Sequence, residues 1–517
     1  MAGLEVKSVS SPEETRPFQD GKGEVQVVNV HGEPVLYGTF EPGWRWSEHV
    51  KPIAGTDSCQ ANHVLYCISG RMHVAMNDGS EAEIGPGDVV AIALPNRVEL
   101  VIALFAAWRL GAAATPVNPG LTRPEMQYQV DDAAAKVVIG EGLELDAPVV
   151  EVGALAEEPT LHTDPADTPS DALALLIYTS GTTGRPKGVM LDHANIAAMC
   201  DMTRAGLGIT AADHSLLILP LFHVNGIVVG TLTPLLAGGR VTIAGRFSPK
   251  TFFGLVERVR PTYFSAVPAI YAMLTSLPEA QTADTSSLRL VVCGAAPMPA
   301  ELIARVEGTL GVVLVEGYGL SEGSCASTLN PYDGVRKPGT VGLPLAGQEV
   351  RVVDQLGRPL PRGERGEVVI RGANVMRGYL NRPEDSARTI VDGWLHTGDV
   401  GIFDEDGYLR IVDRIKDMII RGGENIYPKE IENALYADER VLEAAVVGRP
   451  DEVLGEVVVA YVAVRPGAEL TIEELHALCA DRVAKYKRPA RLEVLDELPK
   501  NAVGKIDKPA LRALASA

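Results

Sequence analysis

The chain has no uninterrupted apolar run of the roughly twenty residues that a membrane-spanning helix needs. Its most membrane-like stretch, residues 216–237, is broken by Pro220, His223, Asn225, Gly226 and Pro234, and reads as a buried strand and helix. Cysteine is sparse: Cys59, Cys67, Cys200, Cys293, Cys325 and Cys479 show no CxxC spacing. That excludes the usual zinc-knuckle and dithiol motifs and fits a reduced, cytoplasmic setting. The opening MAGLEVKSVSSPEE lacks an apolar signal core. Positive charge is also short. With 47 Lys and Arg against 67 Asp and Glu, the net charge of −20 argues against nucleic acid or an anionic membrane as a main partner. What remains is a 517-residue chain, 46% hydrophobic and 22% charged, long enough for two to four globular domains.

The most informative positive feature is YTSGTTGRPKGV, residues 178–189. An apolar run, 172–178, reads as a buried strand before it, and Asp192 and His193 open a helical pattern after it. Hydroxyls, glycines and one lysine crowded between two ordered elements suit polyphosphate oxygens, through backbone N–H groups, side-chain O–H groups and a point charge. The spacing is not that of the common P-loop, because Gly181 and Gly184 stand two residues apart and Pro186 precedes Lys187.

This stretch resembles the signature of the adenylate-forming superfamily, which includes acyl-CoA synthetases, peptide-synthetase adenylation domains and luciferases. The resemblance runs in order from about Gly87 to the C-terminus. It implies attack of a carboxylate on the α-phosphate of ATP, giving an acyl adenylate and pyrophosphate, then thioester formation with CoA. On this resemblance Thr179, Ser180, Gly181, Thr182, Thr183, Gly184 and Lys187 hold the β and γ phosphates. In GYGLSE, residues 317–322, Tyr318 and Gly319 lie against the adenine, Ser321 lies near the α-phosphate, and Glu322 binds Mg²⁺. A carboxylate beside a triphosphate is repulsive unless a metal lies between them. Gly294, Ala295 and Ala296 follow an apolar strand, and small residues there let a flat base approach the backbone.

The resemblance makes Asp399, in WLHTGD, a ribose-hydroxyl acceptor and Arg414 a second nucleotide contact. Lys505, in NAVGKI, reaches the carboxylate and α-phosphate, and Lys416 is the pivot of a mobile C-terminal module. Gly422 and Gly423 pass the pantetheine arm of CoA, and their GGENIYP context looks more like free acyl-CoA ligases than peptide-synthetase modules. His223 sits where the family has a gate to its acyl pocket, whose walls would include Ala266, Val267, Gly294 and Gly317. A lone histidine in an apolar run is otherwise most often a core residue.

The expected architecture is α/β: a large adenylate-forming domain with mostly parallel sheets over residues 89–413, and a small mobile α+β domain over 414–517. A partial cupin-like β segment, 1–88, precedes them. Within the large domain, 101–114 reads as a helix, 136–139, 216–219 and 290–293 read as strands, and the Asp-, Glu- and Pro-rich stretch 141–171 reads as a surface excursion. In the first segment Gly43, five residues and His49, then His63, six residues and Gly70, resemble parts of the first cupin motif. Lys51 stands where a second ligand histidine is usual, and no second cupin motif follows. No functional metal site is expected there, since two imidazoles fall short of the three or four protein ligands such a site needs. The usual first segment of a synthetase is missing before residue 89.

The leading expectation is therefore an AMP-forming acyl-CoA ligase using ATP, Mg²⁺ and CoA. A catalytically impaired fusion whose cupin-like part binds a ligand or partner is the alternative, and a luciferase-like oxygenase shares the same adenylation motifs. Small, aromatic and fatty acids all stay open as substrates.

Overall fold

The computed structural model describes residues 14–30, 33–40, 44–54, 72–75, 81–84, 87–152, 166–179, 185–296, 298–500 and 506–516. The chain divides into two compact units, residues 1–86 and 87–517. In the first, strands Glu14–Pro17, Gly23–Val30 and Glu33–Phe40 form an antiparallel meander, and Met72–Ala75 pairs antiparallel with Glu81–Ile84. Phe18, Phe40 and Trp44 form an aromatic cluster with ring centroids 4.7–5.6 Å apart. His49 is buried, and its Nδ1 lies 2.9 and 3.0 Å from the backbone N and O of Arg45. His63 and Gly43 lie outside the described residues.

The second unit is built on two seven-stranded sheets. The first runs Gly378–Tyr379, Lys187–Asp192, Leu173–Thr179, Ala113–Pro116, Val89–Ile92, Val137–Gly140 and Val149–Glu151. Its inner strands are parallel, and only the pairs made by Lys187–Asp192 are antiparallel. The second places Arg240–Ile243, His214–Leu217, Tyr263–Ala266, Leu290–Cys293 and Val313–Tyr318 in parallel and ends in two short antiparallel strands.

Parallel strands are covered on both faces, which explains their near-continuous apolar text. Along Leu290–Cys293 the side chains alternate between two cores: Leu290 and Val292 join one, Val291 and Cys293 the other. The first core also takes Ile92, Leu175 and Leu191 from the other sheet, and Met199 from helix His193–Leu207 between them. That helix starts at Asp192, whose side chain accepts from Asn195 N at 2.7 Å while Asn195 returns a bond to Asp192 N. It stops at left-handed Gly208.

Two expectations need correction. The apolar run 101–114 is not one helix: helix Val98–Arg109 ends before Gly111, which takes a φ of +72°, and the chain re-enters the sheet at Ala113–Pro116. The apolar text hides that boundary, because the helix carries apolar side chains on its exposed face as well, Val98, Ile102 and Phe105 among them. The stretch 141–171 is not all excursion, since Val149–Glu151 adds an edge strand; residues 153–165 lie outside the described ones. The strand expected over 216–219 is His214–Leu217, while the rest of the run to 237 supplies the expected helix through Val224–Ile227, the wider Val228–Leu232 and Thr233–Leu236. Among the described residues no helix is long and apolar enough to cross a membrane.

An antiparallel sheet including Gly366–Gly372, Trp394–Phe403 and Leu409–Arg414 leads to the C-terminal module. There the long hairpin Val441–Asp451 and Gly455–Val464 again sends alternate residues to two small cores, Ala444 and Val446 to one, Ala445 and Val447 to the other. Helices Pro428–Tyr436, Ile472–Arg482 and Lys508–Ser516 and strand Arg491–Leu495, parallel to Gly455–Val464, belong to the same module.

Candidate active site

The site begins where strands Leu173–Thr179 and Lys187–Asp192 pair antiparallel with Thr179 directly opposite Lys187. Ser180, Gly181, Thr182, Thr183 and Gly184 lie outside the described residues. Both ends of the segment are fixed. Tyr178 donates to Asp132 Oδ2 at 2.9 Å, Tyr128 donates to Pro186 O at 3.0 Å, and Arg185 lies over the Tyr128 ring.

Lys187 points its ammonium at Asp385 Oδ2, 2.8 Å away, and stands 5.1 Å above the centre of the Tyr379 ring. The lysine beside it holds the Asp385 carboxyl below the usual range. Tyr379 in turn donates to Glu322 Oε1 at 2.8 Å. Burial, with Glu322 alongside, pushes the phenol up, so it stays a donor across the physiological range. Glu322 sits on the single turn Ser321–Gly323, which follows strand Val313–Tyr318. The intervening Gly319 admits no side chain, because a Cβ there would fall 1.9 Å from Cys325 O. Among the described residues, Glu322 Oε2 has no hydrogen-bond or ion-pair partner.

At the other end of the same strand-turn, Tyr318 donates to Asp399 Oδ2 at 2.7 Å, and Arg414 Nε reaches Asp399 Oδ1 at 3.0 Å. Asp399 is only 4% exposed. Thr397 Oγ1 orients it by accepting from its backbone N at 3.1 Å and donating to Val368 O. Thus residues from three separate motifs, GYGLSE, WLHTGD and DRIK, meet in one contact set.

Gly294, Ala295 and Ala296 leave the end of strand Leu290–Cys293, and Ala295 takes a left-handed φ of +69°, a strained setting for a residue with a Cβ. The segment is tied from below. Met298 N donates to Glu316 Oε1 at 3.0 Å, and Glu316 is itself 3% exposed with Oε2 lacking a partner among the described residues. Burial pushes the Glu316 carboxyl up to about 7. A Cβ on Gly294 would lie 3.8 Å from both Asn225 Nδ2 and Gly317 O, so three of the elements expected around the acyl pocket converge there.

His223 precedes the turn Val224–Ile227, with its ring 4.7 Å from that of Phe222. Asn96 clamps the segment before it, donating to Leu219 O at 2.8 Å and accepting from Leu221 N at 2.9 Å. Ala266 is buried at the end of its strand and Val267 follows it.

Lys416 lies on the short turn Ile415–Asp417, where burial lowers its pKa and Arg414 beside it adds to the effect. Asp417 pairs with Arg512 at 2.5 Å. Gly422 and Gly423, with φ of +60° and +86°, form the two-residue turn between Ile419–Arg421 and Glu424–Ile426, a conformation glycine adopts without strain. Gly422 N bonds Leu454 O within the same module. Lys505 lies outside the described residues, and a bridge between Lys500 and Ile506 closes the segment that carries it.

Sequence reasoning missed Asn96, Glu316, Tyr379 and Asp385. The available signals were slight: an asparagine after Leu-Pro in an apolar run, an acid inside a buried strand, and a Gly-Tyr pair ahead of Pro-Glu-Asp.

Comparison with known proteins finds relatives over most of the chain. Residues 80–380 match the AMP-binding enzyme family, and residues 430–505 match the AMP-binding enzyme C-terminal domain. A feruloyl-CoA synthase of Amycolatopsis sp. is 39% identical over 460 residues, covering 86% of this chain and 92% of that protein. The oxalate–CoA ligase of Arabidopsis thaliana is 36% identical over 460 residues, 83% and 88% of the two chains. Among solved structures, the o-succinylbenzoate CoA synthetase of Bacillus subtilis in complex with its acyl-adenylate intermediate superposes with a TM-score of 0.77 at 33% identity, covering 84% and 88%. ATP-bound MatB from Rhodopseudomonas palustris gives 0.77 at 31% identity, covering 89% and 97%.

Proposed function

The chain belongs to the AMP-binding enzyme family, and from that membership we propose that it is an AMP-forming acyl-CoA ligase. A carboxylate oxygen of the acid attacks the α-phosphorus of ATP, and the bond to pyrophosphate breaks. The sulfur of CoA then attacks the acyl carbon of the adenylate, the bond to AMP breaks, and the thioester leaves. The relatives are named for feruloyl, oxalate and long-chain fatty acids, so the substrate is a carboxylic acid whose class spans aromatic, small and fatty types.

The observation that carries the reading is a continuous line of contacts. It runs from Lys187 through Tyr379 to Glu322, then along the same strand-turn through Tyr318 to Asp399 and Arg414. Such a line offers cationic and donor groups for a polyphosphate at one end and a buried acceptor for ribose hydroxyls at the other. In this reading residues 179–184 and Lys187 hold the β and γ phosphates, and Ser321 lies at the α-phosphate. Gly294, Ala295, Ala296, Tyr318 and Gly319 enclose the adenine. His223 borders the acyl pocket, Lys416 is the pivot, and Gly422 and Gly423 line the approach of CoA.

Glu322 suits Mg²⁺, a hard cation commonly held by one or two carboxylates together with substrate phosphates. Its Oε1 is oriented by Tyr379 while Oε2 remains open among the described residues. When bound, the ion would neutralise phosphate charge as it builds.

Acid-dependent exchange of pyrophosphate into ATP, measured across a panel of aromatic, small and fatty acids, tests the proposal. An acid that supports exchange and CoA-dependent AMP release is expected. Absence of both with every acid refutes ligase activity and favours an impaired fusion. Lys505→Ala sharpens the assignment: adenylation should fall on the order of 10²–10³, the cost of one charge-stabilising donor, while transfer from a supplied acyl adenylate to CoA persists. An undiminished adenylation rate removes Lys505 from the mechanism.

A further inference from the structure

We propose that Asp385 is a positioning residue for Lys187, holding its ammonium at the mouth of the hairpin formed by strands Leu173–Thr179 and Lys187–Asp192 so that it meets the β and γ phosphates. The inference rests on the reading of residues 179–187 as the phosphate loop.

A lysine ammonium on a four-carbon stem explores many rotamers, and each one away from the phosphates weakens binding. Here two contacts restrict it. Asp385 Oδ2 takes one N–H at 2.8 Å, and the Tyr379 ring lies 5.1 Å below. The pair is sheltered, with side chains 15% and 26% exposed, so the attraction is less screened than at an open surface. An ammonium has three N–H donors, and one spent on Asp385 leaves two for phosphate oxygens. Asp385 therefore need not leave when nucleotide arrives, and Lys187 stands as the cation beside that carboxylate.

The carboxylate is itself fixed. It lies on helix Pro383–Thr389, where Ser386 Oγ accepts from Tyr379 N at 2.8 Å and donates to Arg382 O at 2.8 Å. Strand Gly378–Tyr379 pairs with the lysine's own strand, Val189 opposite Tyr379 and Met190 opposite Gly378. Asp385 and Lys187 are thus carried by backbones joined two residues from the lysine. Asp385 Oδ1 also faces Arg388 Nη2 at 3.2 Å, but that guanidinium is largely exposed and binds the carboxylate weakly.

The test is calorimetric binding of ATP and of AMP, each without acid, to the wild type, Lys187→Ala, Asp385→Ala, Asp385→Asn and the Lys187→Ala, Asp385→Ala double variant. AMP lacks the two phosphates at issue and reports the rest of the site. ATP affinity should fall about tenfold or more in Lys187→Ala and about five- to tenfold in Asp385→Ala, with AMP affinity unchanged within about twofold. The double variant should be no weaker than Lys187→Ala alone, and Asp385→Asn should lose ATP affinity as Asp385→Ala does. If Lys187→Ala weakens ATP and Asp385→Ala does not, positioning is overturned and the phosphate-loop reading stands. If neither alters the ATP-to-AMP ratio, both are overturned. Tighter ATP binding by Asp385→Ala would make the carboxylate a competitor of phosphate, and equal loss of AMP and ATP would make its role structural. Either result also overturns the proposal.

Discussion

The two ends of the proposed nucleotide site are assembled from the same parts and left in different states. At each end a half-buried tyrosine hydroxyl donates to a carboxylate, with a cation on the carboxylate at one end and over the ring at the other: Tyr318, Asp399 and Arg414 at one, Tyr379, Glu322 and Lys187 at the other. Asp399 has both oxygens engaged, one by each partner, and is nearly inaccessible. Among the described residues Glu322 is engaged through Oε1 alone, and Lys187 pairs with Asp385. A carboxylate held through both oxygens is a fixed acceptor that still has lone pairs to offer. One with an oxygen to spare has room for an ion. The same residue types therefore give a rigid grip at one end and an unfinished one at the other.

The comparison can be broken most severely at the unfinished end. Glu322→Gln should lower the adenylation rate on the order of 10²–10³ and raise the magnesium concentration needed for half-maximal exchange. If exchange with saturating ATP is unaffected at low magnesium, Glu322 is not the ion's carboxylate.

Next in size is Glu316, beneath the base end. Its folded-state pKa of about 7 stands above the ordinary value of 4.5, so the folded protein holds the proton more tightly than the unfolded chain. Its contribution is therefore most favourable below the ordinary pKa, declines as pH rises from about 4.5 to about 7, and levels off above. The full swing is about 3 kcal/mol. Glu316→Gln keeps an oxygen for Met298 N and removes the titration. Its apparent Tm relative to wild type should rise between pH 5 and pH 8, and a difference that stays flat across that window refutes the assignment.

Asp399→Asn should weaken ATP and AMP alike, by about ten- to fiftyfold, since it removes the charge that pairs with Arg414 and turns an amide N–H2 toward one of the two donors, Tyr318 or Arg414. Calorimetry with both nucleotides checks this; a loss confined to ATP would move Asp399 away from the ribose. The smallest effect belongs to Tyr379→Phe. Loss of one hydrogen bond to Glu322, worth about 1 kcal/mol, should cost under about tenfold in adenylation and leave AMP binding intact. A loss as large as that of Glu322→Gln would show that the phenol itself touches substrate.

Much of this molecule is legible in its sequence where residue type is unusual for its setting. Hydroxyls and glycines packed before Lys187, or an acid after Gly-Tyr-Gly, have few bland explanations in series, and the βα alternation shows through its apolar runs. What is not legible is partnership. Tyr318, Asp399 and Arg414 stand in three motifs, and nothing in the text says that one hydroxyl and one guanidinium share a single carboxylate. Asp385 and Asn96 are ordinary polar residues whose meaning comes from register and from a distant backbone. The boundary at Gly111 was hidden because apolar residues on the helix's exposed face, such as Ile102 and Phe105, blur the periodicity that separates helix from strand.

The direct register of Thr179 opposite Lys187 has one more consequence, in chain statistics. Seven residues, 180–186, separate two positions that the flanking strands already hold together. Closure has been imposed by the sheet, so the cost of a longer loop grows only with the logarithm of its length. Under the proposed phosphate-binding role, adding glycine or serine among 181–184 should leave Lys187 where it stands and change only how many amide groups are offered to the phosphates. The geometry of the charge and the geometry of the amides are thus separately adjustable, by strand register in one case and by loop length in the other.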